Sequence, residues 1–161
     1  MNGDFLTEWW RSPLILVDWP DPAIIIHSLP QAIAALRAAA SAGRPIVLAS
    51  APEAGGYVGP GWFGALVAAA HQTVPKARSS ALLDCGDNVG AALAAIRAAI
   101  EGVVFTGRAD VARRLADIAR QHGVRLETSR PAGALDLGED FFAPREILER
   151  RCAEFLSRQA S

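Results

Sequence analysis

Short apolar runs alternate with amphipathic stretches along most of this chain. Leu14-Ile15-Leu16-Val17, Ile46-Val47-Leu48-Ala49, Ser80-Ala81-Leu82-Leu83 and Val103-Val104-Phe105 have strand length, and each stops at a polar residue: Asp18, Ser50, Asp84 and Thr106. Largely continuous runs of this kind suit strands covered on both faces of a parallel sheet. A fifth run, Val124-Arg125-Leu126-Glu127, mixes apolar and charged positions as an edge strand does, and stops at Thr128-Ser129-Arg130. The segment Ala23-Ile24-Ile25-Ile26-His27 reads either as an extra short strand or as the connection into the first helix.

Helical periodicity fills the gaps. Leu29, Ile33, Leu36 and Ala40 form one apolar stripe, introduced by a capping-box pattern with Ser28 as N-cap and Gln31 three residues later, and stopped at Gly43. Trp62, Leu66 and Ala70 form a second stripe, and Val89, Leu93, Ile96 and Ile100 a third that precedes Gly102. Val111, Leu115, Ile118 and His122 repeat the spacing before Gly123, and a last helix over about 144–158 carries Leu148, Cys152, Phe155 and Leu156 on one side. The segments 32–50 and 92–107 both read as alanine-rich helix, glycine stop and buried strand, a repetition of the structural unit.

Strand followed by helix, five times over, predicts an α/β domain with right-handed crossovers. The expected architecture over 1–161 is one three-layer domain with a mostly parallel sheet of about five strands, flavodoxin-like or Rossmann-like. It carries an N-terminal aromatic segment at 1–13. The alternative is a half-barrel completed by dimerisation, because five βα units cannot close an eight-stranded barrel.

Composition narrows the class. A chain of 161 residues with 51% hydrophobic residues and net charge −1 buries a sizeable core and has neither a nucleic-acid footprint nor an attraction to anionic membranes. No apolar run approaches the roughly 20 residues of a membrane span, and the start lacks the pattern of a signal peptide. A cytoplasmic protein is the expectation. Of sixteen basic residues only Lys76 is a lysine, and its place between Pro75 and the third of the strand-like runs puts it at the rim of the sheet opposite the strand ends. A Schiff-base mechanism is therefore disfavoured. Cys85 and Cys152 have no CxxC partner and no adjacent histidine pair, so neither a disulfide framework nor a zinc site is indicated.

In open parallel sheets ligands bind beyond the carboxyl ends of the strands. That rule picks out Asp18, Ser50, Glu53, Asp84, Cys85, Asp87, Thr106, Arg108, Ser129 and Arg130, with Gly107 beside Thr106 as a further ligand-binding candidate. Asp84 is the candidate general base or metal ligand, since a strand-end carboxylate needs polar partners. With Asp18 and Glu53 it has the oxygen donors that Mg²⁺ takes. Asp87, or Asn88 beside it, is expected to cap the following helix. Cys85 precedes that helix, but the neighbouring carboxylates oppose a thiolate, so an inert buried thiol is expected. Gly55 and Gly56, in the segment Glu53–Trp62, permit close backbone approach to a ligand, although the segment matches neither GxGxxG nor a P-loop. Thr106 and Arg108 either bind an anion or serve as a helix cap and a solvated charge. His27, His71 and His122 read as structural.

The run from Ala81 to Gly107 and the helix after it resemble the βα units of aldolase-type TIM-barrel enzymes, over about 80–123, on Asp84, Asp87, Gly102, Thr106 and Gly107. That resemblance implies strand-end carboxylates doing chemistry and glycine-bearing loops holding phosphate. Asp18, Asp84 and Thr106 also resemble the acidic, phosphoacceptor and hydroxyl positions of response-regulator receivers, with Arg130-Pro131 standing where receivers have Lys-Pro and no second acid beside Asp18.

Three functions therefore stay open. One is the binding of a phosphorylated or carboxylated metabolite at the strand ends. The second is a degenerate receiver domain. The third is a non-catalytic oligomerisation module using Trp9 and Trp10 or the C-terminal helix.

Overall fold

The computed structural model describes residues 21–160. The predicted strand at 14–17, Asp18 and the tryptophans Trp9, Trp10 and Trp19 lie outside them. The elements in chain order are β1 (Ala23–Ile26), α1 (Leu29–Ala42), β2 (Ile46–Ser50), α2 (Ala54–Tyr57), α3 (Gly59–Thr73), β3 (Ser79–Asp84), α4 (Val89–Arg97), β4 (Gly102–Val104), α5 (Ala109–Gln121), β5 (Arg125–Glu127), β6 (Leu135–Asp136) and α6 (Arg145–Arg158), with a 3-10 turn at Gly138–Asp140. The segment Ala23–His27 thus contains a strand, and α4 stops at Arg97, well short of Gly102, which opens β4. None of the described helices is long and apolar enough to cross a membrane.

All six strands are parallel, in the order β5-β4-β3-β2-β1-β6. The α/β class and the parallel sheet are as the pattern predicts. From β1 to β5 each strand lies beside its predecessor, so this stretch has no reversal of the kind that makes the crevice of a doubly wound sheet. Right-handed crossovers between successive neighbours place α1 to α5 on the same side, and α6 packs there as well. Alternate strand residues Ile24, Ile26, Ile46, Leu48, Leu83 and Val103 accordingly pack with α1, α3, α4, α5 and α6 in one core cluster. The apolar side of α6, with Cys152, Phe155 and Leu156, is buried in that cluster, and Arg37 on α1 reaches Glu149 on α6 at 3.1 Å.

The opposite face holds a smaller cluster of Ala23, Val47, Ala49, Leu82 and Val104, against which Ile25 and Ala134 pack. Its cover, among the described residues, is the connection from β5 to β6. Residues 128–134 must join the two edges of the sheet. The eight Cα-to-Cα steps from Glu127 to Leu135 reach at most about 28 Å, whereas five flat strand spacings span about 24 Å. The connection therefore takes a direct path across the face as a strap: Arg130 meets Asp84 in β3, Pro131 lines a small cavity together with Ile25, Leu82 and Val104, and Ala134 packs on the small cluster. Helices, sheet and strap make the three layers.

Candidate functional site

Strand alternation decides which polar residues share the strap face. Asp84 stands two residues after Leu82, His27 two after Ile25 and Asp136 two after Ala134, and all three reference residues belong to the strap-side cluster. Each polar residue ends its strand or directly follows it, so the three gather at the carboxyl rim of one face.

Asp84 is the centre of this rim and is only 4% exposed. Its Oδ1 accepts the backbone N–H groups of Glu53 and Gly86, both at 2.9 Å. Glu53 and Gly86 both have left-handed backbones, with φ of 62° and 55°. A Cβ on Gly86 would stand 2.7 Å from Glu53 Cγ, so glycine is required where these two turns meet. Arg130 then closes the carboxylate, with Nε 2.6 Å from Oδ2 and Nη2 3.3 Å from Oδ1. The Asp84 N–H donates to Ser50 Oγ at 2.9 Å, tying β3 to the end of β2. The bonds that Arg130 donates to the Asp84 carboxylate raise the arginine's pKa above its ordinary value; burial opposes this, and the charges of Asp84 and Glu53 add to the rise. The cavity beneath the pair measures about 20 Å³, room for one water.

The remaining sequence candidates divide. Glu53 joins Asp84 through its backbone. Gly55 packs under the same turn, where a Cβ would come within 2.5 Å of Cys85 Sγ, and Gly56 faces the side chain of Asn88. Asp87 is exposed and Asn88 is the cap of α4, its Oδ1 accepting from the Ala91 N–H at 2.9 Å. Thr106 is at the rim, its N–H donating to Gly86 O at 2.8 Å, and it does not cap α5. Arg108 turns to Asp110, 3.0 Å away at the surface, and Gly107 packs against the Phe105 ring. A separate groove of about 270 Å³ runs between β5 and α5, walled by Ala112, Ala116 and Leu126 with Arg113 and Thr128 at its margins.

Cys85 is buried, and its thiol is pushed up to about 12, first by burial and then by the Asp84 charge. Among the described residues no group of three or more histidine, cysteine or acidic side chains comes together to hold a metal. A phosphoacceptor oxygen has to be open to solvent, whereas both Asp84 oxygens are already bonded.

The sequence places Arg130 among the strand-end polar residues but shows no partner for it, and it marks His27 as structural. Their partners lie 46 and 109 residues away, and no local pattern announces such pairs.

No family model matches the chain, and no curated protein matches it. Among solved structures, a Coccidioides immitis protein described as a fructose-1,6-biphosphate aldolase shares the fold with a TM-score of 0.54 at 17% identity. The alignment covers 66% of this chain and 39% of that one, so the chain spans well under half the length of its structural neighbour. The likeness is one of fold.

Proposed function

We propose that this domain binds a small phosphorylated or carboxylated metabolite at the carboxyl rim of its sheet, with Arg130 as the anion anchor. The observation that carries this reading is the Asp84–Arg130 pair. Asp84 is buried, while the Arg130 side chain remains 44% exposed. A guanidinium has five N–H groups, and Asp84 engages two of them. The other three bond no described residue, and a guanidinium offers such N–H groups as a fork that planar anions bind in pairs. Asp84 is then a positioning residue that orients the arginine, and Thr106 stands at the same rim as a neutral donor.

Fluorimetric melting and calorimetric titration against inorganic phosphate, glycerol 3-phosphate and citrate test the proposal. Saturable stabilisation by at least one of these, lost in Arg130→Gln and kept in Arg108→Ala, is the expected result. Binding that survives Arg130→Gln unchanged, or no response to any of the three, overturns it.

A further inference from the structure

We infer that His27 and Asp136 form a proton-transfer dyad at the same rim, with His27 Nδ1 as the accepting atom. His27 Nε2 lies 2.7 Å from Asp136 Oδ1, joining the ends of β1 and β6. Among the described residues only this histidine faces a carboxylate; His71 bonds Ser79 Oγ and His122 the Ile118 carbonyl. A carboxylate on Nε2 holds the proton there and leaves Nδ1 as the basic nitrogen. Among the described residues nothing bonds Nδ1.

The dyad is built rather than incidental. Gln31, fully buried, accepts the His27 N–H through Oε1 at 2.7 Å and donates through Nε2 to Leu137 O at 2.7 Å, so one side chain sets both strand ends. The Gly138 N–H donates to Asp136 Oδ1 at 2.8 Å, and a Cβ at that glycine would lie 3.1 Å from His27 Nε2. His27 is three-quarters covered and Asp136 about half. Both sides of the pair are thereby fixed, as a proton acceptor requires.

The substrate class rests on the anion-binding reading above. β1 and β3 are two strand spacings apart, so His27 and the Asp84–Arg130 pair stand roughly 10 Å apart, the length of a small metabolite. A compound with its phosphate or carboxylate on Arg130 would present a hydroxyl at its other end to His27. In the step proposed, the substrate O–H bond breaks and an N–H bond forms at Nδ1. The electron pair stays on the substrate oxygen, and the Asp136 carboxylate offsets the imidazolium charge.

Diethyl pyrocarbonate acylates unprotonated imidazole nitrogen and reports both accessibility and nucleophilicity, with the modified residue located by peptide mass spectrometry. In the whole chain at neutral pH, His27 is expected to react. Asp136→Asn, which keeps acceptors for Gly138 and His27 but removes the charge, should slow it several-fold while His71 and His122 are unchanged. Saturating glycerol 3-phosphate, which carries an anion at one end and hydroxyls at the other, should protect His27 alone, and Arg130→Gln should abolish that protection. An unreactive His27 in the folded protein, or an equal rate in Asp136→Asn with an unaltered melting curve, overturns the dyad. A reactive, Asp136-dependent His27 that glycerol 3-phosphate does not protect leaves the dyad standing and overturns the substrate class, whereas the anion anchor stands or falls by the titrations with Arg130→Gln.

Discussion

Arg130 Nε lies 2.6 Å from Asp84 Oδ2, although 46 residues of chain and two strands of the sheet separate them. The contact pins the strap to the middle of the sheet and sets the direction of the Arg130 guanidinium. It predicts an asymmetry between variants. Arg130→Ala strands a buried carboxylate whose two amide donors remain, and should cost about 1–3 kcal/mol. Asp84→Asn releases the arginine to solvent, and the double variant should lose less than the sum of the two. A double-mutant cycle from urea denaturation reads the coupling, and a coupling near zero would show that the pair is only a surface contact.

Gln31 predicts a second loss. Gln31→Leu keeps the bulk but leaves the His27 N–H and the Leu137 carbonyl without partners, for about 2–4 kcal/mol. The denaturation midpoint should fall with the slope unchanged. Gln31→Glu should recover the bond from His27 and lose the one to Leu137. A midpoint within error of the parent in Gln31→Leu would refute the account of the clamp.

A gain is expected at Ala99. The residue has φ of 56° just after α4, whereas α1 and α5 are followed by glycines at φ of 65° and 67°. The Ala99 N–H bonds Ile96 O and the Ile100 N–H bonds Ala95 O, the double bond of a left-handed helix stop. Ala99→Gly removes the Cβ strain of that conformation and should stabilise by about 0.5–1 kcal/mol. The thermal midpoint checks the sign, and a decrease would refute it.

Both cysteines should be silent in the native state. Burial pushes Cys85 and Cys152 up to about 12, with the Asp84 charge adding to the first. At pH 8 neither should react with iodoacetamide until denaturant is added. The sign for stability follows: the thiols ionise near 9 in the unfolded chain and near 12 in the folded one. Below pH 9 they are neutral in both states and no stability is lost. As pH rises from 9 towards 12 the unfolded state sheds protons first, and stability falls. Replacing both cysteines with alanine should flatten this alkaline decline, even though the variant begins from a lower stability.

The strand–helix alternation was legible because β2, β3 and β4 are buried on both faces, which leaves continuous apolar runs, and because helix stripes repeat locally. The capping pattern at Ser28 was half right. Ser28 accepts the Gln31 N–H, but the Gln31 side chain turns to His27 rather than back to Ser28. β6 escaped notice because two residues carry no periodicity; it is specified by pairing with β1 and by Gln31, over a hundred residues away. Asp84 was legible at the end of its apolar run. Its partner was not, because the strap that delivers Arg130 is a turn-rich segment whose route depends on the strand order.

That route makes the strap a gauge as well as a cover. Its length limits how far the two edges of the sheet can stand apart, and therefore how wide the rim can open above Asp84. Gly133, at φ of 66° with open space around it, marks where slack could be let in. One residue added there would loosen the rim without altering any side chain that lines it, so the capacity of this site is written in the length of its tether.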